Sequence, residues 1–204
     1  MRAAVPLRSA RGRGPAPDTV DRIVEATLAC LRRDGRELTS IAGVSRESGV
    51  SRQTIYKRFG DLESLVLHVV ESVAVDIAQR VVSAPRPDAT APARLIDLIV
   101  ATHRELRNDP VAMMSLDLSM DADYRDARSI GGPSLALAEG LVRAALPSVP
   151  TLSDDVVTLI AETTYRWILS LLTYTSANTA TDDAVRDYLN RTLLPAFERL
   201  IEGG

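Results

Sequence analysis

The chain of 204 residues is poor in the residue types on which many protein functions depend. Its single cysteine, Cys30, excludes an internal disulfide. Two histidines in separate segments, His68 and His103, leave little material for acid–base catalysis or for a metal site. No phosphate-cradling glycine loop, strand alternation or Ser-His-Asp set is visible. We therefore expect no enzyme activity, no catalytic residues, no metal and no cofactor.

Long apolar stretches are also missing. No run reaches the roughly 18 residues that a membrane-spanning helix needs. The arginines near the N-terminus are not followed by an apolar segment, so a signal peptide is not expected. We expect a cytoplasmic protein that does not bind membranes.

Positive charge is distributed unevenly along the chain, whose net charge is −3. Through residue 59 there are 12 Lys and Arg against 6 Asp and Glu, which gives +6, and the remainder carries 12 against 21, or −9. A basic N-terminal part on an acidic remainder directs the positive field toward DNA and favours one docking orientation.

The stretch 39–59, TSIAGVSRESGVSRQTIYKRF, has the spacing of a helix-turn-helix. Ser45 and Gly49 lie four residues apart, where two crossing helices leave no room for a large side chain. Ile55 follows six residues later and is placed to fill the angle between the helices. Gly49 is expected to adopt the left-handed conformation of the turn, and Ser51 to cap the second helix.

The second helix of this motif presents side chains that donate hydrogen bonds to phosphates and base edges. We predict that Arg52, Gln53, Tyr56 and Lys57 enter the major groove of double-stranded DNA and that Thr39 and Arg58 lie near phosphates. The complete predicted DNA-binding set is Thr39, Ser51, Arg52, Gln53, Thr54, Tyr56, Lys57 and Arg58.

The residues around the motif extend this pattern over about the first third of the chain. Gly35 lies four residues before a Thr-Ser pair, a GVS turn follows at 49–51, and a Thr-Ile-Tyr precedes a leucine-rich fourth helix. With these features the run 21–65 resembles the N-terminal domain of the TetR family of bacterial transcriptional regulators. Two positions differ from the family pattern: Ser45 replaces the usual alanine, and Leu62 replaces a lysine that commonly contacts a phosphate.

The resemblance implies a homodimeric repressor that leaves its operator when a small molecule enters its larger domain. We expect a palindromic operator, and the apolar residues predicted to line the ligand cavity lead us to expect an apolar or aromatic effector. Two alternatives remain open from the sequence. One is a helical enzyme or metabolite carrier with a vestigial helix-turn-helix, and the other is a regulator that has no small-molecule ligand.

Apolar periodicity predicts an all-α chain of about nine helices in three parts. Residues 1–17 are expected to be a disordered basic arm, either a DNA contact or a solvated tail. Residues 18–60 are predicted to form a three-helix DNA-binding domain. Residues 61–204 are predicted to form a larger ligand-binding and dimerisation domain.

Helices eight (153–175) and nine (from 181, kinked at Pro195) carry more apolar surface than one neighbour can cover, so we predict that they form a four-helix dimer interface. Helices five (93–108), six (110–120), seven (133–146) and eight are predicted to enclose an apolar cavity. Ordinary core packing remains an alternative for the methionines and for His103. The predicted ligand-binding residues are Ile99, His103, Met113, Met114, Leu116, Met120, Tyr165, Arg166 and Trp167.

Overall fold

A computed structural model of the chain describes residues 18–86, 88–114, 132–147, 149 and 152–203. All regular elements in these residues are helical, which confirms the predicted fold class. The chain divides into two compact units after Val69. The predicted basic arm, 1–17, lies outside the described residues.

The first unit contains three helices and the start of a fourth. Because Leu65, Val66 and Val69 of the fourth helix are buried, its first two turns belong to the core of this unit. The boundary between the two units therefore lies beyond residue 60, the end that the sequence pattern predicted for the DNA-binding domain. The helices are α1 Thr19–Leu38, α2 Ile41–Ser48, α3 Arg52–Phe59 and α4 Leu62–Val82.

α1 is bent near its C-terminal end. Gly35 has φ 74° and ψ 174°, outside the helical region, and helical structure resumes as far as Leu38. The sequence predicted that Gly35 ends the helix, and the regular helix does end there, with residues 36–38 forming a separate short turn beyond it. A positive φ is inexpensive only for glycine, so this residue allows the chain to change direction before α2.

The second unit is arranged around α5, which packs against α7, α8, α9 and α10. Every residue from Leu95 to His103 is buried, so this helix is enclosed on all sides. The order of elements is α5 Ala91–Asn108, α6 (110–114 in the described part), α7 Gly132–Ala145, α8 Asp154–Thr173, a 3-10 turn Ala177–Thr179, α9 Asp182–Thr192 and α10 Leu194–Glu202.

A buried carboxylate joins α5 to two other segments of the second unit. Asp97 is 3% exposed. It accepts hydrogen bonds from the backbone N–H of Arg86 at 3.2 Å, from Arg86 Nε at 3.3 Å and from Arg186 of α9. Burial, together with the charge of Arg86, lowers the pKa of the Arg186 guanidinium from its ordinary value. The cluster fixes the connection between α4 and α5 against α9.

The predicted last helix is divided in two. Leu193 separates α9 from α10, and Pro195 lies in the first turn of α10. Proline has no N–H to donate and is favoured in the first turn of a helix, which explains why the kink becomes a break. Among the described residues, no helix is long and apolar enough to cross a membrane.

Candidate nucleic-acid interface and ligand cavity

The turn between α2 and α3 is fixed by backbone geometry and by hydroxyl groups. Gly49 has φ 67° and ψ 15°, the left-handed conformation predicted for it. Ser45 Oγ donates to the carbonyl of Val50 at 2.7 Å, so the serine that replaces the family's alanine holds the turn from inside. Ser48 Oγ donates to the carbonyl of Val44 at 2.7 Å and accepts from Val50 N–H at 3.2 Å.

Arg22 of α1 supports the same turn, a role that sequence analysis missed. Its Nη2 donates to the carbonyl of Ser48 at the end of α2. A Cβ added to Gly49 would lie 3.1 Å from the same nitrogen. No local pattern indicates this contact, because Arg22 and Ser48 are 26 residues apart.

α3 begins at the predicted cap. Ser51 Oγ accepts from Thr54 N–H at 3.2 Å, an arrangement that satisfies one of the free amides of the first turn. Ile55 is completely buried and fills the angle between the helices. Cap and core residue together determine which face of α3 remains outside.

The outer face of α3 carries the predicted DNA-binding side chains. Thr54 is half-buried, whereas the other members of the set on this helix are exposed, and Tyr56 is 51% exposed. Within the described residues, no ion pair neutralises the cations of this face. The face therefore presents free donors along two helical turns. Its exposed members are Arg52, Gln53, Tyr56, Lys57 and Arg58.

Thr39 is placed differently from the sequence prediction. It is 5% exposed, and its Oγ1 donates to the carbonyl of Gly35 at 2.7 Å, so its hydroxyl holds the kinked end of α1. The exposed residue here is Ser40, whose Oγ accepts from Gly43 N–H at 3.2 Å at the start of α2. Ser40 replaces Thr39 as our candidate for a phosphate contact.

The start of α4 lacks the lysine of the family pattern. Asp61 caps this helix by accepting from Ser64 N–H at 2.7 Å, and this hydrogen bond lowers the pKa of the Asp61 carboxyl. Leu62 is half-buried. Because an apolar side chain offers no hydrogen bond to a phosphate, the phosphate contact common in the family is not available at residue 62.

The second unit contains a cavity of about 120 Å³. Among the described residues it lies between α4, α5, α7 and α8, and the described part of α6 contributes no side chain to the lining. Small side chains on α4 and α7 leave the space open. The lining consists of Ala74, Ile77, Ala78, Val81, Leu98, Thr102, Leu106, Leu137, Ala138, Leu141, Thr164, Tyr165 and Ile168.

Of the predicted ligand-binding residues, the described lining contains Tyr165. Helical phase explains why its predicted companions are elsewhere. Leu98, Thr102 and Leu106 form one stripe of α5, and the stripe of Ile99 and His103 is rotated by one residue, about 100°. Two of the predicted residues, Leu116 and Met120, lie outside the described part of the chain.

The other predicted residues of α6 and α8 also lie apart from the described lining. Met113 and Met114 are half-buried in α6. Arg166 is exposed and forms an ion pair of 2.6 Å with Glu162, while Trp167 is half-buried with its ring centroid 5.7 Å from that of Tyr188 in α9. Neither Arg166 nor Trp167 is among the described lining residues.

His103 is a core histidine. It is 1% exposed, and its Nδ1 has no hydrogen-bond partner among the described residues. Burial is the main cause that lowers the pKa of this imidazole, and the charge of Arg107 adds to it, whereas Asp182 and the Leu171 backbone oppose the shift. This burial therefore favours the neutral imidazole over the charged form.

Comparison with known proteins identifies the first unit. Residues 23–69 match the model of the bacterial regulatory proteins of the tetR family. The first unit is therefore a TetR-family N-terminal domain. The match covers the helices whose turn and exposed face are described above, and it confirms the resemblance drawn from the sequence. The matched family consists of bacterial regulatory proteins.

Relatives share the helix-turn-helix type, and solved structures share the fold. An "uncharacterized HTH-type transcriptional regulator" of Mycobacterium tuberculosis strain H37Rv is 30% identical over 124 residues, 61% of this chain and 63% of that protein. The alignment thus spans less than two thirds of that relative's length. A TetR-family regulator of Streptomyces coelicolor A3 has a similar fold, with TM-score 0.55 and 18% identity over 94% of this chain and 99% of that one.

A second solved structure is the multidrug binding protein EbrR complexed with imidazole. It aligns with TM-score 0.58 and 20% identity over 86% of this chain and 95% of that chain. At such low identity both structural matches concern the fold alone. No group of three His, Cys, Asp or Glu side chains is arranged to hold a metal in the part of the chain that the structure describes.

Proposed function

We propose that this chain is a transcriptional regulator of the TetR family that binds a near-palindromic operator through α3. The observation that carries the proposal is the exposed polar face of α3 on a helix fixed by the Ser51 cap and by buried Ile55. Gln53 and Arg52 suit base edges in the major groove, and Lys57 and Arg58 suit phosphates or guanine. Ser40 supplies a further hydroxyl at the start of α2.

A palindromic operator requires two copies of this face, and we propose a homodimer through α8 and the C-terminal helices. Leu159 of α8 is 48% exposed, and the half-buried Trp167 and Tyr188 form an aromatic pair on α8 and α9. Such apolar surface is costly in a monomer and is typical of interfaces. In the dimer, the two recognition helices would lie about 34–36 Å apart, one turn of DNA.

We further propose that the regulator is a repressor whose cavity binds a small, largely apolar effector. The cavity supports this proposal because it is lined by apolar side chains and a few hydroxyls. Four of its lining residues belong to α4, the helix that starts in the DNA-binding unit. An effector can release DNA only if it binds the DNA-free conformation more tightly, since equal affinity for both forms shifts nothing.

DNA binding can be tested by selecting an operator from random duplexes and measuring its affinity at several salt concentrations. We expect Lys57→Ala to weaken binding broadly and to reduce the salt dependence by about one phosphate contact. Gln53→Ala should instead change the preferred base at one position, at a cost of about 1–3 kcal/mol.

The matched control is Arg80→Gln, which removes a cation from α4 that is paired with Glu105 at 2.9 Å in the second unit. It should leave operator affinity unchanged. Wild-type affinity in both α3 variants, with folding intact, would mean that α3 does not contact DNA.

A further inference from the structure

Thr164 is an unusual member of the cavity lining. Its side chain is buried, at 3% exposure, and its Oγ1 has no hydrogen-bond partner among the described residues. A buried hydroxyl without a partner is unfavourable, and native structures usually provide one. In this cavity a bound molecule can provide it.

The remainder of the lining offers little to a charged molecule. Thr102 Oγ1 already donates to the carbonyl of Leu98 at 2.8 Å, so it is left as an acceptor. Apart from Thr102, Thr164 and Tyr165, the described lining side chains are Ala, Val, Leu and Ile, with no carboxylate or guanidinium among them. Taking an unpaired charge into such surroundings is strongly unfavourable.

The size of the cavity limits the ligand as well. Its volume is about 120 Å³, and an apolar cavity of about 150 Å³ in another protein is known to admit benzene. A single ring, or an aliphatic chain of similar volume, would therefore occupy the space without large movement of α4 or α7.

We infer that the effector is an uncharged, single-ring-sized apolar molecule with one polar group that hydrogen-bonds to Thr164. The inference rests on the proposed function, in which this cavity is the effector site, and adds the class of molecule that it selects. A phenol, an alcohol or a small carbonyl compound has this chemistry. A cationic drug does not.

Isothermal titration with three ring-sized probes tests this inference: p-cresol, toluene and benzylammonium. We expect wild-type protein to bind p-cresol about five- to tenfold more tightly than toluene, the worth of one hydrogen bond. Benzylammonium should bind more weakly than either. Thr164→Val, which keeps the shape and removes the hydroxyl, should abolish the preference for p-cresol.

Two further variants serve as controls. Thr158→Val makes the same chemical change on α8 at a hydroxyl that donates to Glu139 at 2.6 Å and does not line the cavity, so it should bind the probes like wild type. Ala138→Leu places a larger side chain in the cavity and should weaken p-cresol and toluene alike.

The outcomes separate the inference from the proposed function. Equal binding of p-cresol and toluene, lost in Ala138→Leu but unaffected by Thr164→Val, would overturn the role of Thr164 and leave the cavity as the effector site. Tighter binding of benzylammonium than p-cresol would overturn the uncharged class. If no probe binds, or if Ala138→Leu has no effect, the effector site itself has been placed wrongly.

Discussion

The buried cluster around Asp97 leads to a stability prediction in which two arginines should behave differently. In Arg186→Met, a carboxylate that is 3% exposed loses one of its charged partners. Breaking a buried ion pair typically costs about 3–5 kcal/mol, but Arg86 remains bound here and the Arg186 side chain is 34% exposed. We therefore expect the free energy of unfolding to fall by about 2–3 kcal/mol.

Arg86→Met should cost much less. It removes one hydrogen bond of 3.3 Å from a side chain that is 63% exposed, while the backbone N–H of residue 86 still donates to Asp97. Surface pairs of this kind contribute about 0–1 kcal/mol.

Urea denaturation followed by circular dichroism, and thermal melting, would measure both variants. The loss in Arg186→Met corresponds to a decrease in melting temperature of roughly 4–12 °C for a chain of this size. In an Asp97→Asn background the same substitution should cost less, with a coupling energy of about 1–3 kcal/mol. Equal losses in the two arginine variants, or no coupling to Asp97, would refute the reasoning.

Three further predictions concern other parts of the chain. The pKa of His103 is lowered by burial, so its contribution to stability is present above about pH 6.5 and is lost as the pH falls through the lowered pKa. His103→Leu should therefore reduce the pH dependence of the free energy of unfolding measured between about pH 7.5 and 5. Gly49→Ala places a side chain at φ 67° and close to Arg22, so it should lower the free energy of thermal unfolding by about 1–2 kcal/mol. Its control, Gly140→Ala, adds a methyl group in open space on α7 and should raise that free energy by about 0.5–1 kcal/mol. Leu159→Glu should convert a dimer to a monomer in light scattering, while the equally exposed Leu67→Glu on α4 should not; a wild-type monomer at micromolar concentration would contradict the dimer.

The DNA-binding unit could be predicted closely because its determinants are local. A glycine at the turn, a serine cap and one buried isoleucine lie within a few residues of one another, and each has a single inexpensive conformation. The error at Thr39 is a shift of one residue: the kink at Gly35 turns Thr39 inward and leaves Ser40 outside. That rotation depends on how α1 ends, which the pattern does not show.

The cavity was harder to predict because a cavity depends on what is missing between helices. Apolar periodicity showed that α5 and α8 are buried but not which stripe faces a gap, since α5 is buried on every side. The space comes from alanines on α4 and α7, such as Ala78 and Ala138, which are good helix formers and carry no functional signal in sequence. The prediction relied instead on large apolar side chains such as Met113.

The enclosure of α5 has a consequence for how the second unit opens. Because its residues 95–103 are covered on all sides by other helices, their amide protons can meet solvent only when this unit unfolds as a whole. In hydrogen–deuterium exchange, these amides would record the global stability of the unit. Amides at its surface, such as those of the exposed residues near the C-terminal end of α4, would record local fluctuations, so a single experiment would separate the two kinds of motion.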